Sequence, residues 1–315
     1  MRIIRDYQFV SPEDRGASAA IGNFDGVHRG HQAVIDLARK QAQELGAPLG
    51  IVTFEPHPRE YFAPDAPPFR LMNARTRANR LEKLGVDKLY ELNFNATLSN
   101  LTAEEFARDV LHKGLGLKHV VVGEDFNFGK GRQGNAQMLA EMGSDLGFGV
   151  TIAPLVADAK GEFSSTAIRK ALSEGRPEDA ARMLGHWHRI DGTVVGGDQR
   201  GRDLGYPTAN LLIDGLHPPK FGIYAVFVDV LEGPFKGSYQ GAASIGFRPT
   251  FGGDFPNLET YIFDFSGDLY GTEISVALVS YLRPEVKFAD IEALKRQIED
   301  DCRRCREILA NPPQP

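Results

Sequence analysis

Between residues 18 and 156 short apolar runs alternate with segments whose apolar residues recur at helical spacing. SAAIGNF at 18–24, PLGIVTF at 48–54, KLYELNF at 88–94, HVVVG at 119–123 and VTIAPLV at 150–156 read as strands. Helices are predicted from Gly30 to Leu45, Asn73 to Leu84, Thr102 to His112 and Asn135 to Leu146, with Thr102 and Glu105 at capping-box spacing. Such alternation argues for an α/β domain whose parallel sheet is covered by helices. Two more helix patterns, SSTAIRKALSEG and PEDAARMLG, begin at Ser164 and at Pro177, both good starting residues, and close this half.

Beyond His186 the period changes. HRIDGTVVGG, GIYAVFVDVLEG, KGSYQGAASIG and LETYIFDFSGDLYG are short period-2 runs broken by Gly, Pro and Asp, the pattern of a small antiparallel barrel or sandwich. A helix from about Ala289 to Leu309 and a frayed tail at 311–315 end the chain. With 315 residues two domains are expected, and the change of period near Leu184 to Trp187 places them at 1–185 and 186–315.

The balance of 42 acidic against 36 basic side chains gives a net charge of −6, so there is no general electrostatic reason to hold a nucleic acid. No apolar run approaches the ~20 residues that span a bilayer, and the start MRIIRDYQFV lacks a signal-peptide core, so no membrane partner is expected. The two cysteines, in CRRC at 302–305, are too few for a disulfide framework. They read as ordinary residues of a helix whose charged stretch, Glu299 to Arg306, forms a solvated face. A cytoplasmic chain of average composition fits, and any phosphate site must be local.

The segment Gly22-Asn23-Phe24-Asp25-Gly26-Val27-His28-Arg29-Gly30-His31 makes a strand-to-helix turn with two histidines on one side of the helix start. Helix-start N–H groups favour an anion, Gly30 would let phosphate approach the backbone, and His28 and His31 add two donors. The competing readings are surface histidines beside a capping Asp25, or a zinc site, for which His57 in FEPHPRE is the nearest third ligand. Gly129 to Gly134 satisfies GxGxxG but is separated by five residues, Glu124 to Phe128, from Gly123 at the strand end, so it is no dinucleotide fingerprint. A flexible loop over a substrate suits it better.

In the second half, a glycine-rich turn containing Gly196, Arg202 and Gly205 leads into PTAN, where an extended backbone turns Thr208 and Asn210 to one side. Their oxygens suit magnesium, and an ordinary barrel loop is the alternative. On LETYIFDF, alternation puts Glu259 on the face of Tyr261, Phe263 and Phe265. Partial burial there would raise the carboxylate's pKa towards that of a general base, which an attacking alcohol needs. An edge strand with Glu259 in water is the other reading.

GNFDGVHRGH resembles the signature of the HxGH nucleotidyltransferase superfamily in its flavin adenylyltransferase form, and FEPHP, GEDFNFGKGRQG and SSTAIR follow in that family's order. The resemblance implies a Rossmann-like domain that joins a substrate phosphate to the α-phosphorus of ATP, with His28, His31 and Arg169 in catalytic roles. It places nucleotide at Gly22, Asn23, Phe24, Asp25, Gly30, Ser164, Ser165 and Thr166, and flavin at Phe54, Pro56, Pro58, Phe126, Asn127 and Phe128. Ser164, Ser165 and Thr166 also read as plain helix-start residues. GRDLGYPTAN, FGIYAV, SIGFRPTF, LETYIFDF, GDLYG and YLRPEVKF resemble riboflavin kinase. That likeness implies phosphate at Gly196, Arg202 and Gly205, metal at Thr208 and Asn210, Glu259 as base and flavin at Arg283. Thr260-Tyr261 stands where related sequences often carry a Val-His type pair.

Together the halves are similar to the bacterial bifunctional riboflavin kinase and FAD synthetase family. The resemblance implies Mg2+ and ATP at both sites, riboflavin, FMN and FAD as substrates or products, and handover of FAD to apo-flavoproteins. Rivals are a single-activity nucleotidyltransferase with a delivery barrel, a flavin- or nicotinamide-dependent oxidoreductase, and a non-enzymatic flavin-binding regulator.

Overall fold

The computed structural model describes residues 1–159, 161–196, 204–247 and 256–315. They form two compact units, Met1–Pro67 with Ala74–Phe163, and Pro68–Asn73 with Ser164–Pro315.

In the first unit the strands are β1 (Arg2–Ile4), β2 (Ser18–Ile21), β3 (Leu49–Glu55), β4 (Lys88–Asn93), β5 (His119–Gly123), the short pairs β6 (Asn127–Phe128) with β7 (Gly134–Asn135), β8 (Gly149–Ala153), and β9 (Ala157–Asp158) with β10 (Gly161–Glu162). The helices are α1 (Arg29–Leu45), α2 (Pro58–Phe62), α3 (Ala74–Lys83), α4 (Ala96–Ser99), α5 (Ala103–Glu105) and α6 (Ala136–Leu146). Six parallel strands lie in the order β1-β4-β3-β2-β5-β8. The central strands are buried on both faces, which is why they read as continuous apolar runs.

Local signals act as expected. The Thr102–Glu105 capping box makes both of its bonds, and Gly46 and Gly147 end α1 and α6 in the left-handed conformation. The segment after α5 differs from the expectation: Phe106–Gly114 continues as a π-helix that buries Phe106, Ala107, Val110 and Leu111. β1 and α2 were not expected. β1 has three residues, too few to display a period, and α2 is a single turn.

In the second unit α7 (Ser165–Ser173) and α8 (Pro177–Leu184) precede β11 (His188–Thr193), β12 (Thr208–Leu212), β13 (Gly222–Val230), β14 (Gly237–Phe247), β15 (Pro256–Ile262) and β16 (Glu273–Arg283), and α9 (Ile291–Ala310) ends the unit. The strands pair antiparallel in the order β11-β16-β13-β14-β15-β12. Two register shifts between β13 and β16 bend the sheet, and a bridge from the Val195 N–H to the Asn210 carbonyl at 2.9 Å joins its two ends. Ile190, Leu211, Val226, Ile245, Leu258 and Val276 fill the interior. On the outside, Cys305 and Leu309 of α9 pack on Ala225, Phe263 and Val279. Burial pushes the free thiols of Cys302 and Cys305 up to about 11 and about 12, in keeping with plain packing residues.

Candidate active sites

In the first sheet the strand order reverses between β2 and β5, so the crevice beyond their C-terminal ends is where an open α/β sheet takes ligands. The two motifs GNFDGVHRGH and GEDFNFG leave from those ends. Phe24 and Val27 adopt φ of 51° and 46°, in the left-handed region that non-glycine residues avoid. The turn holds them there because both side chains are fully buried.

The N-cap of α1 is His28 and not Asp25, which is buried. The His31 backbone N–H donates to His28 Nδ1 at 3.3 Å. With Nδ1 accepting, the neutral His28 ring carries its proton on Nε2. The two imidazoles stack with centroids 3.6 Å apart and planes 20° apart, and Phe24 packs against His31. His31 Nδ1 is enclosed without a hydrogen-bond partner. Burial, and then the neighbouring His28, hold the His31 pKa well below the usual imidazole value. His31 is thus held as a neutral ring rather than a cation. Gly30 has a tighter reason than the expected phosphate approach. A Cβ there would lie 3.1 Å from the His28 ring and from the Phe163 carbonyl oxygen.

Arg77 on α3 is buried and joins three parts of this region. Its Nη2 pairs with Glu55 at 2.9 Å and Glu91 at 3.2 Å, and its Nη1 donates to the Asn23 carbonyl at 3.4 Å. The FEPHP segment begins with a cis Glu55–Pro56 peptide, and Pro58 opens α2. His57 caps α2 by accepting from the Arg59 N–H at 3.0 Å, so His28 and His57, two of the three histidines weighed for zinc, serve as helix caps through Nδ1. Among the described residues no group of three His, Cys, Asp or Glu side chains is arranged to hold a metal.

An aromatic chain runs from Phe94 through Phe54 and Phe106 to Phe128, on which Phe126 stacks at 5.5 Å. Phe128 is a core residue, whereas Phe54 and Phe126 are half-buried and Asn127 and Pro56 are exposed. Asn127 donates to the Asp125 carbonyl at 2.7 Å. The glycine loop that follows is anchored rather than free. Lys130 N–H donates to the Leu101 carbonyl at 2.7 Å, and a Cβ on Gly129 or Gly134 would strike Ala103.

Ser164, Ser165, Thr166 and Arg169 belong to the second unit. Ser164 caps α7 by accepting from the Ala167 N–H at 3.2 Å, while Thr166 is exposed. Arg169 Nε donates to the Phe69 carbonyl at 2.5 Å, with its guanidinium over the Phe69 ring.

On the barrel, Asn210 of β12 lies directly opposite Glu259 of β15, and Thr208 opposite Tyr261. This row is on the outer face, because Ala209, Leu211, Leu258 and Ile262 point into the core. The aromatic face expected around Glu259 is covered by α9 at Tyr261 and Phe263; β15 ends at Ile262, so Phe265 falls outside the alternation. Glu259 is half-buried and not in open water. Asn257 Nδ2 donates to Asn210 Oδ1 and to Glu259 Oε1, both at 3.2 Å, and Asn210 Nδ2 donates to the Thr208 carbonyl at 3.2 Å. These donors are hard oxygens, and the Asn257 amide holds the Asn210 oxygen in place, so the set fits a magnesium ion.

Gly196 and Gly205 have open space where a Cβ would stand, and Gly205 needs its freedom at φ 89°. Arg202 lies outside the described residues, as does the 248–251 portion of SIGFRPTF. Arg283 is engaged elsewhere than expected. Its Nε and Nη2 form a bidentate pair with the buried Asp301 of α9, at 3.0 and 2.6 Å, and its Nη1 donates to the Pro284 carbonyl. Asp301 itself is buried, so the stretch from Glu299 to Arg306 is not wholly a solvated face.

Residues 10–167 match the FAD synthetase family model and residues 184–309 match the riboflavin kinase model. A Pseudomonas fluorescens protein named bifunctional riboflavin kinase/FMN adenylyltransferase is 43% identical, over 98% of both chains. The chain belongs to the bifunctional riboflavin kinase/FMN adenylyltransferase family. Its Escherichia coli K12 member is 39% identical over 98% of both chains, and the Bacillus subtilis member 34% over 99% of this chain and 98% of its own. A crystal structure of a Streptococcus pneumoniae protein described as a macrolide-efflux protein superposes with a TM-score of 0.84 at 33% identity, covering 98% of each chain. Among the described residues no helix is long and apolar enough to cross a membrane.

Within this family fold, Arg77, Asn257 and Asp301 are the polar residues that sequence reasoning missed. Arg77 sits among several other basic residues of ARTRANR, and Asn257 and Asp301 in polar surroundings, so no local signal separates them. Only their burial and partners do.

Proposed function

We propose that this chain makes FAD from riboflavin in two steps, with residues 1–185 as the adenylyltransferase and 186–315 as the kinase. The observation that carries the reading is the ordered match of the two family models, which falls on two compact units that each carry a polar site.

In the barrel, riboflavin and ATP give FMN and ADP. The ribityl hydroxyl oxygen forms a bond to the γ-phosphorus, the bond from that phosphorus to the β-phosphate oxygen breaks, and Glu259 takes the hydroxyl proton. Thr208 and Asn210 would hold Mg2+, which supplies positive charge to the nucleotide phosphates. Gly196, Arg202 and Gly205 are assigned to phosphate, and Arg283 to the flavin.

In the first site, FMN and ATP give FAD and pyrophosphate. The FMN phosphate is already ionised near neutral pH, so its attack on the α-phosphorus needs no base. The residues Gly22 to Asp25, Gly30 and the N–H groups of α1 receive the nucleotide. Nε2–H of His28 and the ring of His31 hydrogen-bond the charge that builds on the leaving pyrophosphate. The family resemblance assigns Ser164, Ser165, Thr166 and Arg169 to phosphate, and Phe54, Pro56, Pro58, Phe126, Asn127 and Phe128 to the flavin. The protein works in the cytoplasm, a reading supported by its two free cysteines, and hands FAD to apo-flavoproteins.

The test is incubation of the chain with riboflavin, ATP and Mg2+, following FMN, FAD, ADP and pyrophosphate. FMN is expected first, then FAD, with both ADP and pyrophosphate formed. Conversion of supplied FMN with riboflavin untouched would remove the kinase reading, and the absence of any flavin change would remove both.

A further inference from the structure

Asn257 touches two of the groups assigned to the kinase site. Its amide nitrogen donates to Asn210 Oδ1 and to Glu259 Oε1, both at 3.2 Å. The orientation of the chain of amides is determined by its ends. Asn210 Nδ2 is turned to the Thr208 carbonyl, so Asn210 presents oxygen to Asn257, and the Glu259 carboxylate likewise demands a donor. Asn257 Oδ1 is then left enclosed with no hydrogen-bond partner, on a residue only 5% exposed. A buried amide with an unsatisfied oxygen is costly, and an apolar side chain would pack beside the Leu258 core at no such cost.

We propose that Asn257 is the positioning residue of the kinase site, setting the amide oxygen of Asn210 and the carboxylate of Glu259 with one NH2 group. The inference rests on the assignment of Asn210 and Glu259 given above. One planar amide fixes the separation and the relative tilt of its two acceptors, so ligand and base move as a unit.

Glu259 faces Asn210 across β12 and Ser244 across β14, with Tyr261 two residues along its own strand. Ser244 Oγ donates to the exposed Glu285 at 3.2 Å. Tyr206 packs edge-on against Tyr261.

Two variants of the full chain test the role. Asn257→Leu removes both donors, and Asn257→Asp keeps the shape while making the group an acceptor. In each, FMN formation is measured at saturating ATP and Mg2+, with FAD formation from supplied FMN as the folding control. The kcat for FMN formation is expected to fall about tenfold or more, as the loss of one charge-assisted hydrogen bond implies, with KM for riboflavin within about twofold. FAD formation is unchanged. The side-chain amide 15N–1H resonances of Asn210, assigned by difference from Asn210→Ser, move in both variants without turnover. A kcat and Asn210 resonances that stay at the parental values in folded variants overturn the proposal. Should Glu259→Gln retain FMN formation, the base assignment fails and the proposal with it. Loss in Glu259→Gln with parental behaviour in both Asn257 variants overturns the positioning role alone.

Discussion

The imidazoles of His28 and His31 are stacked 3.6 Å apart at the start of α1, linked by the His31 backbone N–H to His28 Nδ1. Two protonated rings at that distance would repel, and burial already holds His31 neutral. In the proposed adenylyltransferase step the pair would therefore act by directed hydrogen bonds. His31→Ala is expected to lower kcat for FAD formation from FMN by about 10²- to 10³-fold, the usual loss for one preorganised donor at a developing charge. FMN formation should be untouched, which separate steady-state assays of the two steps will show.

Arg77 is a buried cation between Glu55 and Glu91, the latter with a side chain 5% exposed. Arg77→Met leaves Glu91 buried with the exposed Arg5 as its remaining partner. A loss of ~3–5 kcal/mol in the urea unfolding of the first unit is expected, as for breaking a buried pair. Arg77→Lys should restore part of it. Equal stability of Arg77→Met and the parent would show the pairs to be without consequence.

If Arg283 anchors α9 through Asp301, then Arg283→Ala and Asp301→Ala will each lower the unfolding midpoint of the barrel unit. Their double variant will lose clearly less than the sum, because each single change strands a partner with little exposure. Strict additivity in this cycle would instead show that the two side chains act separately.

His188 is buried on β11, and burial, then His186 and His217, lower its pKa to about 3. An unfolded histidine titrates near ~6.5, so below that pH the unfolded chain takes up a proton that the folded chain refuses. The barrel unit is fully stabilised by this group above ~6.5 and loses up to ~1.4 kcal/mol per pH unit as pH falls towards 3. Removing the titration with His188→Gln should flatten the pH dependence of unfolding by that slope between about pH 4.5 and 6.5. An unchanged slope would place the proton elsewhere.

Much of this molecule is legible along the chain, and for specific reasons. The α1 pattern, the Thr102–Glu105 box and the Ser164 and Pro177 starts depend on neighbours within a few residues, so their spacing carries the information. The motif GNFDGVHRGH marks the turn that the fold places at the strand-order reversal. The role of Gly30, by contrast, rests on contact with the Phe163 carbonyl, 133 positions away in the chain. The loop Gly129–Gly134 reads as mobile from its glycines, yet Ala103 is the reason two of those glycines are needed. Arg283 reads as a ligand contact from its motif, while its partner Asp301 lies on a helix that shares no local pattern with it.

By itself the sequence determined the order of the α/β half and the barrel half, their family and the motif residues, because periodicity, capping and signature spacing are local properties of the chain. Only the tertiary structure decided which of those residues are engaged in packing or capping and which hidden partners hold the rest. Burial and cross-strand register bring together Asn210, Asn257 and Glu259, or Asn23, Glu55, Arg77 and Glu91, and no local pattern encodes which distant polar groups will meet in the interior.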